Sequence, residues 1–70
     1  MYHISQRIRL GQELVENLRR LSMSGDWMKE ACRQLYMADL AFNINKNPYC
    51  EETAHGLLTS FEEIITTALL

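Results

Sequence analysis

A chain of 70 residues, 47% hydrophobic and 23% charged with a formal net charge of −2, has the composition of one ordered globular domain, which excludes a disordered chain. A domain this short hides only roughly 60–65% of the surface its unfolded chain exposes, so it gains from a disulfide, a metal or oligomerisation. Two cysteines, an N-terminus (Met1-Tyr2-His3-Ile4-Ser5-Gln6-Arg7) without a signal-peptide apolar core, and apolar runs well below the ~18 residues of a membrane span predict a soluble, cytoplasmic protein with no membrane contact.

Two seams divide residues 1–70 into three pieces of a single small helical domain. At Ser24-Gly25-Asp26, glycine suits the position after a helix and aspartate the N-cap of the next. At Asn45-Lys46-Asn47-Pro48, Asn47 is expected to cap a helix that starts with Pro48.

The first piece, about 5–23, reads as a helix with Ile4, Ile8, Gly11, Leu14, Val15, Leu18 and Leu21 on one stripe. Arg7 falls inside that stripe and Gly11 permits close helix approach. Arg9 with Glu13 and Glu16 with Arg20 are i, i+4 pairs. A strand is the alternative, because Tyr2, Ile4, Ile8 and Leu10 alternate with His3, Ser5, Arg7 and Arg9, broken only at Gln6.

The middle piece, about 27–44, places Trp27, Met28, Ala31, Cys32, Leu35, Ala38 and Phe42 on one face. Its second half carries another apolar stripe on the opposite side, formed by Tyr36, Leu40 and Ile44 and joined by Met37 and Ala41. A helix apolar all round is buried on both sides, so either this helix is central or its second stripe meets a partner. Asp39 lies on the main apolar sector; it is expected to pair with Arg7 or Arg19, or to reach water at the sector edge.

The third piece, 48–69, gathers Cys50, Ala54, Leu57, Leu58, Phe61, Ile64, Ile65, Ala68 and Leu69 into one broad sector. Glu51 and Glu52 occupy its first turn, where the helix dipole favours carboxylates, and Gly56 lies on its polar side. Residues 1–24 carry Arg7, Arg9, Arg19 and Arg20 against Glu13 and Glu16, whereas residues 47–70 carry Glu51, Glu52, Glu62 and Glu63 with no lysine or arginine. The glutamates read as solvated charges, and the asymmetry is of the kind that guides packing between segments or subunits.

Chemistry-bearing constellations do not emerge. The thiol and imidazole candidates Cys32, Cys50, His3 and His55 form no Cys-x-x-Cys or His-x3-His pair, and on one helix Cys50 and His55 point about 140° apart. Both cysteines sit on apolar faces, where the side chain behaves as a small hydrophobe. A nucleophilic cysteine needs a base and an electropositive setting, and Cys50 is instead followed by two glutamates. No catalytic, metal or cofactor residue is assigned.

The stretch Ile8-Arg9-Leu10-Gly11-Gln12-Glu13-Leu14-Val15-Glu16-Asn17-Leu18-Arg19-Arg20-Leu21, followed by Gly25 and another helix, resembles the ribbon-helix-helix family of dimeric DNA-binding regulators over roughly residues 4–44. The resemblance implies an N-terminal strand followed by helices, with Ser5, Arg7 and Arg9 facing DNA bases and Ile4, Ile8 and Leu10 the core. Against it stands the acidic overall balance.

The first expectation is therefore an all-α fold of three short helices, in an antiparallel bundle or extended helical hairpin, assembling as a homodimer through the middle helix. Its expected role is that of a non-enzymatic protein–protein interaction module, regulatory or adaptor-like, binding another protein through Tyr36, Met37, Leu40 and Ile44. The alternative is a ribbon-helix-helix transcriptional regulator.

Overall fold

A computed structural model of the chain describes residues 3–45 and 48–70, the side chains of 44, 45, 48 and 49 excepted. The described residues form three α-helices, α1 (Ile4–Arg20), α2 (Asp26–Asn45) and α3 (Pro48–Leu69). The first segment is thus helix from Ile4 onward. This overturns the strand alternative, because the i, i+3, i+4 stripe of Ile4, Ile8, Gly11, Val15 and Leu18 buries against two helices at once, which alternation over residues 2–10 would not do.

The start of α1 is fixed by His3, whose extended backbone (φ −65°, ψ 155°) donates its N–H to Gln6 Oε1 at 3.2 Å, one half of a capping box. The helix stops at Arg20, three residues before the expected end at 23. Leu21 is the C-cap and Ser22 follows in the left-handed region at φ 60°. The Ser22 N–H reaches the Arg19 carbonyl at 2.9 Å and the Met23 N–H the Leu18 carbonyl at 3.1 Å, the two bonds of a Schellman motif.

Gly25 therefore does not close α1. It opens α2, with its carbonyl accepting the N–H groups of Met28 (3.1 Å) and Lys29 (3.4 Å), so Asp26 is the first helical residue and not the N-cap. Its φ of 140° suits glycine alone, and a Cβ there would lie 3.0 Å from the Trp27 ring. The Asn47 cap expected for α3 lies outside the described residues.

One core joins the three helices: Ile8, Val15 and Leu18 of α1, Met28, Ala31, Leu35 and Ala38 of α2, and Leu58, Phe61 and Ile65 of α3. Ile4, Leu14, Met23, Trp27, Cys32, Phe42, Leu57 and Ile64 pack around it. The α2–α3 pair is the most extensive contact, and Ala31, Ala38 and Ala54 are all fully buried. Small side chains leave room for two backbones to approach closely along such a pair.

The first helix packs less extensively on both partners. At Gly11 it lies close to both, and a Cβ there would stand 3.0 Å from Leu35 of α2 and 3.0 Å from Phe61 of α3. The molecule measures 36 × 22 × 17 Å, its long axis close to the ~33 Å length of a 22-residue helix.

Candidate functional site

Burial of Ala31, Leu35 and Ala38 against α1 and α3 fixes the rotation of α2 and turns its other face outward. On that face Tyr36 is 64% exposed, Met37 44% and Leu40 38%. Stepping 100° per residue, they span an arc of about 100° opposite the core residues, so they form one patch and not scattered exposures. Ala41 flanks it, half-buried, while the side chain of Ile44 lies outside the described residues.

Toward the N-terminal end the same face turns polar. Lys29 and Arg33 are exposed there, and Arg33 Nη2 meets Glu30 Oε1 at 3.1 Å. Gln34 Nε2 donates to the same oxygen at 2.8 Å. The Gln34 hydrogen bond and then the Arg33 charge hold the Glu30 carboxyl below the ordinary glutamate value, against a desolvation that would raise it.

Asp39 is half-buried beside the patch, and neither expected arginine pairs with it. Its Oδ1 accepts from the Asn43 amide, which also donates to the Asp39 carbonyl at 3.0 Å. Arg19 Nη2 instead points at Cys32 Sγ, 3.5 Å away, across a shallow groove between α1 and α2 whose rim includes Gln12, Glu16 and Tyr36.

Arg7 is bound elsewhere. Its Nε and Nη2 form a bidentate pair with Glu62 of α3 at 3.1 and 2.8 Å, and its Nη1 lies 2.7 Å from His55 Nδ1. A guanidinium only donates, so Nδ1 is the acceptor in that contact. The cluster explains how an arginine sits inside an apolar stripe: its side chain is only 15% exposed, and both carboxylate oxygens of Glu62 face it.

These placements also correct the DNA-contact set implied by the ribbon-helix-helix resemblance. On a helix Ser5 and Arg9 share one exposed side, whereas Arg7 points about 160° or more away into the α1–α3 seam, so the three cannot form one row of base-reading side chains. The Arg7–Glu62 pairing was not anticipated from the residues. The signal was the basic start and acidic end of the chain, which this contact brings together.

Compared with models of protein families, curated proteins and solved structures, the chain matches none.

Among the described residues, no group of three or more His, Cys, Asp or Glu side chains is arranged to hold a metal ion. Cys32 and Cys50 are half-buried thiols on different helices. A groove lined by Trp27, Ser60, Glu63, Ile64, Thr67 and Ala68 brings only one titratable side chain, Glu63, to its wall. No described helix is long and apolar enough to cross a membrane.

Proposed function

We propose that this protein is a non-enzymatic interaction module, regulatory or adaptor-like, that presents the outer face of α2 to another polypeptide. The observation behind this reading is the patch of Tyr36, Met37 and Leu40, large apolar side chains 64%, 44% and 38% exposed on a helix whose opposite face is already packed. Tyrosine and methionine are enriched at interface centres, where an aromatic anchor and an adaptable thioether fill pockets on a partner. Covering the patch would contribute roughly 1 kcal/mol per side chain, since each is already partly sheltered. Ile44, one turn beyond Leu40 in the same sequence stripe, belongs to the proposed surface.

The test is a photoreactive benzoylphenylalanine placed at Met37, with a second placed at Glu13 on the exposed side of α1, each irradiated in the producing cell. A covalent protein adduct from position 37 and none from position 13 is expected. Equal labelling at both, or none at 37, would refute the reading.

A further inference from the structure

We infer that the polypeptide covering this face is a second copy of the chain, docked α2 against α2 in antiparallel register about a twofold axis near residue 38. This rests on the interaction reading above and specifies its partner.

Surface area is the first argument. The chain exposes 5087 Å². A compact monomer of 8.2 kDa follows the area–mass relation at about 4,500 Å². The difference, about 550 Å², approaches the roughly 800 Å² that one partner contributes to a standard interface. The elongated bundle thus exposes more surface than a compact chain of its mass, a surplus smaller than one side of a standard interface.

Charge sets the partner and the direction. Among the described residues Asp39 takes the Asn43 amide as its side-chain partner and no cation, and it borders the patch. Arg33 lies at the opposite end of the patch and is exposed, its ion pair among the described residues being with Glu30 one turn away. Two copies paired in parallel would set Arg33, which falls near the centre of the arc, beside Arg33, a like-charge contact that opposes this pairing.

Antiparallel pairing about residue 38 reverses this. Met37 and Tyr36 meet the partner's Leu40, and Arg33 comes to about one helical turn, ~6 Å along the axis, from the partner's Asp39. A twofold axis repeats the charge contact on the other side, because an isologous interface is self-complementary. Antiparallel helix dipoles also oppose each other favourably.

Sedimentation equilibrium of the full chain tests the inference, with Leu40→Asp and Tyr36→Asp beside wild type and far-UV circular dichroism confirming that the variants stay helical. Wild type should sediment at twice the chain mass at about 100 μM, a concentration at which a micromolar interface is filled. Both variants should sediment as helical monomers.

Charge reversal then tests the register: Asp39→Arg and Arg33→Asp should each weaken the dimer roughly three- to tenfold, and the double variant should recover most of the loss. A monomeric wild type, or a dimer indifferent to both Leu40→Asp and Tyr36→Asp, would overturn the inference. A double reversal weaker than either single one would overturn the antiparallel register. A position-37 adduct with a different protein, alongside a monomeric wild type, would uphold the interaction reading and sink the second copy as its partner.

Discussion

Arg7 shows how one side chain can belong to a packed seam while carrying a charge. Its aliphatic stem follows the apolar stripe of α1 and its guanidinium ends on Glu62 and His55. Removing only the acid strands the cation in a site where Arg7 is 15% exposed, so Glu62→Ala should destabilise by about 1–2 kcal/mol. Arg7→Met, which keeps the stem and removes the charge, should cost less than Glu62→Ala. Urea denaturation of the two variants measures both, and an Arg7→Met loss larger than the Glu62→Ala loss would contradict this account. Ser22 is a second residue with a legible cost: at φ 60° it holds a position glycine would take without strain. Ser22→Gly is expected to stabilise by about 0.5–1 kcal/mol, seen as a higher urea midpoint at unchanged slope.

At the scale of the helix, environment decides the sign of one and the same substitution. Gly56 is exposed in α3 and a Cβ there would meet nothing within 4 Å, so Gly56→Ala should gain up to about 1 kcal/mol of helix propensity. Gly11 is buried in α1, where the added carbon would press on Leu35 and Phe61 at 3.0 Å. Those side chains are themselves only 5% and 2% exposed, so yielding would disturb the rest of the core. Gly11→Ala should therefore destabilise by about 1 kcal/mol or more despite the better propensity, and thermal unfolding of the two variants side by side should move in opposite directions. Gains at both positions would show that α1 can lift away from its partners at little cost.

For the molecule as a whole, the helices are unequally held. The α2–α3 pair packs far more extensively than either contact made by α1, whose anchors are Ile8, Val15, Leu18 and the Arg7 cluster. Regions with fewer packed contacts open at lower free energy, so amide protons in the middle of α1 should exchange roughly tenfold or more faster than those in the middle of α2 and α3. Uniform protection along all three helices would mean that the bundle opens only globally.

Much of this architecture was legible in the residues because each helix carries its own period. Met28, Ala31, Leu35 and Ala38 of α2, and Ala54, Leu58, Phe61 and Ile65 of α3, all fall on the faces that 100° stepping marks as apolar, and all are buried. The second stripe of α2 was legible for the same reason: Tyr36, Met37 and Leu40 do stand outside the core. What local pattern alone could not supply was anything set by backbone strain or distance across the fold. The end of α1 came three residues early because the Schellman bonds formed at Ser22, leaving Gly25 to open α2. Leu21, assigned to the stripe, is 71% exposed because it lies in that cap. Arg7 and Glu62, 55 residues apart, became partners only when α1 settled on α3, and Asp39 was left with Asn43 because both candidate arginines had found other partners. Periodicity determined which faces are apolar, since that follows from local helix geometry. Tertiary packing alone decided which of those faces is covered within the chain, because that depends on how many helices are available to cover them.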